Sequence, residues 1–179
     1  MPKYAAFLRA INVGGHTVKM DHLRRLFEQI GFENVETFIA SGNVIFDSNT
    51  KNTTALERKI EKHLQAALGY AVTTFVRSTT DLPNIIRDQP FASSELEAEG
   101  NVLYVGFLPE QPRDAASEKL RACATEVDLF QVLGREVYWL CRTKFSESQF
   151  SGARLEKTLG MPTTLRNSNT IKRLVAKYP

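Results

Sequence analysis

Cysteine is nearly absent from this 179-residue chain: only Cys123 and Cys141 occur, eighteen residues apart. With no histidine close by, that spacing is neither a zinc pattern nor a redox pair. Both are expected to act as small buried hydrophobes, Cys123 on an apolar helix face and Cys141 in a strand. The three histidines, His16, His22 and His63, form no ligand cluster. Long apolar runs are also missing, and nothing approaches the roughly 20 residues needed to span a bilayer. Met1-Pro2-Lys3-Tyr4 opens no secretory signal. Two free thiols and no such signal fit a reducing cytoplasm, which is the location expected. Several catalytic patterns are absent too. There is no Gly-x-Ser-x-Gly elbow, and Gly14-Gly15-His16-Thr17-Val18-Lys19 is neither a Walker loop nor a GxGxxG fingerprint.

What is present is an ordinary globular composition, 42% apolar and 24% charged, enough for one domain or two small ones. Net charge is +3 and unevenly spread. Residues 1–31 sum to +3, residues 142–179 to +6, and the stretch between them to −6. Two basic ends around an acidic middle create a positive face if the ends meet in space.

Tyr4 to Arg9 is apolar on both strand faces, as expected of a central strand. Met20, Leu23, Phe27 and Ile30 recur at helical spacing, and Gly31 ends that helix. Val35–Ala40 and Val44–Phe46 read as a hairpin around Ser41-Gly42-Asn43. Thr54 and Glu57 form a capping box before a helix bearing Leu56, Ile60, Leu64 and Leu68, and Val72–Arg77 is the next strand. Strand, helix, strand, strand, helix, strand is the ferredoxin-like split βαβ order. The second part echoes it: a strand over Val102–Leu108, a helix over Asp114–Ala124, a hairpin around Gly134-Arg135, a helix ending at Gly160, a strand near Thr163–Leu165 and a helix over Thr170–Lys177. The expected fold is α+β, with two ferredoxin-like (βαββαβ) α/β-plait units. Residues 1–78 form the first; residues 79–179 form the second, elaborated by a helical connector and a C-terminal helix. No residue motif is shared between the halves; the duplication is one of pattern. Phe7, Leu8, Leu23, Phe27, Ile30, Leu56, Ile60 and Leu64 are the expected first core.

That topology locates a site. The right-handed crossover makes the first two strands parallel, so the loop after the first strand and the turn after the second leave the same end. Arg9, Asn12, Gly14, Gly15 and Lys19 then face Ser41, Gly42 and Asn43. Paired glycines free backbone N–H groups for a ligand, and the following helix start favours an anion. A plain tight turn and hairpin are the alternative. Thr163 to Thr170 carries four hydroxyls, two amides and Arg166. Arg166 and Asn167 there could hold a phosphate or carboxylate, or the segment could simply cap the last helix.

"FLRAINVGG", "KMDHLRRLFEQIGF", "TFIASGNVIFDS" and "TTLRNSNT", in that order, resemble the bacterial domain-of-unknown-function family 1697. The resemblance implies a cytosolic protein of two ferredoxin-like plaits with no established activity. Ala10 stands where the family's motif has Gly, and Ser168 where it commonly has Trp.

The function expected is binding of a small phosphate- or nucleotide-bearing ligand at the Asn12–Gly15 and Ser41–Asn43 loops. The alternatives are an enzyme acting on a phosphorylated substrate, which lacks a visible general base, and a nucleic-acid-binding module. The latter lacks a stacking signature: Tyr4, Phe7 and Phe46 sit outside any arginine–glycine–aromatic run. No cofactor, metal or membrane partner is called for.

Overall fold

Every residue from Tyr4 to Leu8 is buried, so strand β1 (Lys3–Leu8) is covered on both of its alternating faces. Such a strand is central. In the computed structural model, which describes residues 1–39 and 42–179, β1 pairs antiparallel with both β3 (Asn43–Asp47) and β4 (Thr74–Ser78). With β2 (Glu33–Thr37) at the far edge, the first sheet has the order β2-β3-β1-β4. Helices α1 (Met20–Gln29) and α2 (Thr53–Leu68) bury Leu23, Leu26, Phe27, Leu56, Ile60 and Leu64 against Tyr4, Ala6, Leu8, Val44 and Phe46. Two expected core residues sit differently. Ile30 is the C-cap of α1 and only partly buried. Phe7 is fully buried but on the opposite face, paired with Phe75.

Three local expectations are corrected. The capping box is not used: Asn52 is the N-cap of α2, its side chain accepting from the Ala55 N–H at 3.1 Å. Glu57 instead turns inward and accepts from the Val76 N–H at 2.8 Å, beside Arg77 at 3.7 Å. Glu61, one turn on, accepts from the Thr74 N–H at 2.9 Å. Those N–H groups lie on the outer edge of β4, so α2 occupies hydrogen-bonding sites a sheet edge otherwise leaves open. The second correction is β2, which starts earlier than expected. Asn34 adopts φ +48° within a register shift, and its Nδ2 donates to Asp47 at 2.8 Å. The third is Cys123, which is half-buried at the C-cap of α5 (Asp114–Ala122), its thiol on the Lys119 carbonyl; Cys141 is buried.

Helices α3 (Leu82–Arg87) and α4 (Ser93–Glu97) precede β5 (Val102–Phe107). After α5 come β6 (Asp128–Leu133), β7 (Glu136–Cys141), α6 (Gly152–Leu159), β8 (Thr164–Asn167) and α7 (Ser168–Lys177), giving seven α-helices among the described residues. The second sheet is also antiparallel, in the order β6-β7-β5-β8. The fold is mixed α+β with two four-stranded antiparallel sheets. Contacts group Met1–Leu82 with Tyr178–Pro179 in one unit and Pro83–Lys177 in the other.

The registers overturn the expectation that the halves share no residue motif. Tyr4-Ala5-Ala6-Phe7-Leu8 and Tyr104-Val105-Gly106-Phe107-Leu108 occupy equivalent positions. Tyr4 pairs with Phe46 and Tyr104 with Trp139, ring centroids 5.8 and 6.2 Å apart. Leu8 N–H donates to the Gly42 carbonyl and Leu108 N–H to that of Arg135. Arg77 and Arg166 stand at matching registers, opposite Ala5 and Val105. Both α2 and α6 end on a left-handed glycine, Gly69 and Gly160. Glu156 of α6 accepts from Thr163 N–H as Glu61 does from Thr74.

Candidate functional site

Two loops leave the same end of the first sheet, and Gly42 joins them. Its carbonyl accepts from the Leu8 N–H at 2.8 Å. Its φ is +77°, and a Cβ built there would lie 2.8 Å from Ile11 Cγ2 and 3.2 Å from Leu8 Cβ. Only glycine fits both the left-handed backbone and that approach.

Most of the polar residues on these loops are engaged in holding them closed. Asn12 is exposed, but its Oδ1 accepts from the Val18 N–H at 2.7 Å across the loop. Asn43 is fully buried; its Nδ2 donates to the Phe38 carbonyl at 2.9 Å and its own carbonyl accepts from the Phe38 N–H at 2.9 Å. Arg9 is half-buried, its N–H on the Thr73 carbonyl at 2.9 Å. His16 stacks on Tyr70 at 3.8 Å, and the Tyr70 hydroxyl donates to the Ile11 carbonyl at 3.2 Å. Ser41 lies outside the described residues.

Gly14 and Gly15 differ. Both are exposed, at φ +65° and +82°, with nothing within 4 Å of a Cβ built on either. Among the described residues neither donates a backbone hydrogen bond from its N–H. Lys19, exposed, is the N-cap of α1 and provides no side-chain cap, so the first N–H groups of α1 keep the partial positive charge of an open helix start. Asp21 in that first turn offsets part of it.

Arg166 and Asn167 belong to the second unit. Arg166 is buried on β8; it donates to Thr164 Oγ1 at 2.6 Å and to the Leu165 carbonyl at 3.0 Å. Burial lowers its guanidinium pKa to about 10. Asn167 accepts from the Asn169 N–H at 2.9 Å at the start of α7. Thr163 Oγ1 donates to the Phe107 carbonyl. The polar groups of this segment are therefore engaged within the fold, with its own backbone, with the Thr164 hydroxyl and with the Phe107 carbonyl of β5.

Sequence reasoning passed over a cleft of about 380 Å³ in the second unit, lined by Val127, Asp128, Ser148, Phe150 and Arg154, with Glu126 and Glu147 beside them. Asp128 is buried at 3% exposure. Its Oδ1 accepts from Trp139 Nε1 at 2.8 Å and its Oδ2 from the Ser148 hydroxyl at 2.7 Å. The Phe150 N–H donates to Ser148 Oγ at 3.1 Å. Burial raises the pKa of Cys141, the cross-strand partner of Asp128, with opposition from its bond to the Thr143 carbonyl and support from Asp128. The one sequence clue to this cleft is an aspartate opening a mostly apolar strand, because residues 128 and 139 are brought together by pairing of β6 with β7 and residue 148 by the loop that follows β7.

Among the described residues no three or more His, Cys, Asp or Glu side chains are grouped to hold a metal ion, and no helix is long and apolar enough to cross a membrane. A family model described as "Protein of unknown function (DUF1697)" matches residues 1–138. No curated protein matches the chain. A solved structure, that of the conserved bacterial protein SP0830 from Streptococcus pneumoniae, is similar over 98% of this chain and 97% of its own, with a TM-score of 0.70 and 22% identity. That likeness establishes a shared fold.

Proposed function

We propose, for this chain, which belongs to the DUF1697 family of proteins of unknown function, that it binds a small anionic, phosphate- or nucleotide-bearing ligand at the loop that opens α1. One observation carries the reading. The exposed Gly14 and Gly15 N–H groups, the uncapped start of α1 and the Lys19 side chain lie within one short segment. Backbone N–H groups at a helix start bind anions through hydrogen bonding and the helix dipole together. Asn12, Gly42 and Asn43 then belong to the scaffold that fixes the loop, and Arg9 and Lys19 supply charge. The strand orders and the shared Tyr-x-x-Phe-Leu strand further support reading each unit as a ferredoxin-like α/β plait.

Thermal-shift measurement against inorganic phosphate, nucleotides and sugar phosphates tests the reading. Stabilisation that Gly15→Val abolishes and Lys19→Ala weakens is expected, with the Lys19 effect shrinking at high salt. An unchanged melting temperature throughout the panel refutes it. Turnover of a phosphorylated compound would favour an enzyme, and steeply salt-dependent RNA binding a nucleic-acid module.

A further inference from the structure

We propose that the cleft of the second unit is an acyl-transfer site in which Ser148 is the nucleophile and Asp128 its base, acting on a carboxylic ester of neutral or cationic character. A serine hydroxyl is a weak nucleophile until a base held within about 2.6–3.2 Å takes its proton, and the base must itself be oriented by a third group. Both contacts are made. Ser148 Oγ donates to Asp128 Oδ2 at 2.7 Å, and Trp139 Nε1 fixes Oδ1 at 2.8 Å. Trp139 is fully buried, so it acts as a positioning residue for the carboxylate. No cation pairs with Asp128 among the described residues. The thiol of Cys141 donates to the Thr143 carbonyl, and among the described residues the Ser148 hydroxyl donates to Asp128.

The remaining groups match the charge that develops. The Phe150 N–H, 3.1 Å from Ser148 Oγ, stabilises negative charge on that oxygen as its proton leaves. The Arg154 guanidinium rests over the Phe150 ring at 4.9 Å and has no carboxylate partner among the described residues. It is available to a carbonyl oxygen that becomes an oxyanion. Glu126, Asp128 and Glu147 against the single Arg154 leave the lining negative, which disfavours anionic acyl groups. This separates the cleft from the anion site of the first unit.

In the first half-reaction Ser148 Oγ forms a bond to the carbonyl carbon while its proton passes to Asp128. The tetrahedral intermediate then expels the alkoxide, which leaves with that proton as the alcohol. In the second, water gives a proton to Asp128 and attacks the acyl carbon. The bond to Oγ breaks, and the proton returns to Ser148. The sum is ester plus water to acid plus alcohol, with no redox change and no co-reactant other than water.

The test uses the full chain with p-nitrophenyl acetate and, separately, a fluorophosphonate probe. The expected result is a stoichiometric nitrophenolate burst, with acetyl and phosphonyl adducts mapped to Ser148 by peptide mass spectrometry. Ser148→Ala should abolish burst and adduct. Asp128→Asn should slow acylation by roughly 10²–10⁴-fold. Where Asp128→Asn fails to fold, Ser148→Ala, which leaves the carboxylate and its Trp139 partner in place, decides alone. A folded wild-type protein that acquires no adduct on Ser148, or a burst that survives Ser148→Ala and disappears with Cys123→Ala, overturns the proposal.

Discussion

Gly15 and Gly42 provide a comparison in which one physical quantity changes. Both have positive φ, +82° and +77°, so alanine at either meets the same left-handed backbone cost. That cost is about 1–2 kcal/mol for an L-residue, offset by about 0.4–1 kcal/mol from the stiffened unfolded chain, leaving about 1 kcal/mol. At Gly15 nothing more is added, because no atom lies within 4 Å of the new Cβ. At Gly42 the Cβ meets Ile11 Cγ2 at 2.8 Å and Leu8 Cβ at 3.2 Å. Forcing such contacts apart adds about 1–3 kcal/mol, for a total of about 2–4 kcal/mol. A chain of this size loses about 2–4 °C of melting temperature per kcal/mol. Circular dichroism should therefore report a fall of about 2–4 °C for Gly15→Ala and about 4–16 °C for Gly42→Ala. The excess belongs to the contact between the two loops, so Ile11→Ala in the Gly42→Ala background should cost less than it does alone, by about 0.5–3 kcal/mol. Equal losses at the two glycines, or strict additivity with Ile11→Ala, would show that the loops do not press on one another there.

Ala10 holds φ +58°, and Ala10→Gly should raise the urea midpoint by relieving that backbone; an unchanged or lowered midpoint would contradict it. Phe27, fully buried between α1 and the sheet, should cost about 3–5 kcal/mol as Phe27→Ala; a loss under about 1 kcal/mol would mean its face is loosely packed. Burial raises the pKa of Glu61, against the opposing bond from Thr74. A carboxyl raised in the folded state contributes stability below its unfolded pKa and loses it as pH rises through the folded one. Glu61→Gln, which keeps an acceptor for Thr74, should therefore be more stable than wild type at pH 7 and indistinguishable well below pH 4.5. An identical difference at both pH values would refute the assignment. Tyr178→Phe removes the 2.6 Å hydrogen bond to Glu36 and should cost about 1–2 kcal/mol, measured by urea unfolding.

The sequence showed its elements wherever one period dominated. The apolar run of β1 and the three- and four-residue steps of α1 and α2 needed no context. It misled where a residue's local chemistry competed with a distant partner. Thr54 and Glu57 have capping-box spacing, yet Glu57 is drawn to the edge of β4, nineteen residues away. The loop site was legible as a topological juxtaposition, and Gly42 against Ile11 is its physical form. The roles of its members were not legible, because Asn12 and Asn43 are spent on Val18 and Phe38. The strand likeness between the halves was hidden for a similar reason. Five residues with two substitutions stand out only when pairing registers align them. The Asp128–Trp139–Ser148 cluster left no pattern, since its members share no fixed spacing.

Tyr178 and Pro179 group with the first unit although 95 residues of the second precede them. The bond from Tyr178 to Glu36 spans 142 positions. This sets a clock on synthesis. At about 5–20 residues per second, the ribosome takes roughly 5–20 s to travel from Leu82 to Tyr178. During that interval Glu36 and the Phe38 ring, which Tyr178 meets edge-on at 6.2 Å, wait without their last neighbour. The second unit is made of consecutive residues, whereas the first is closed by two residues that are translated after all of them.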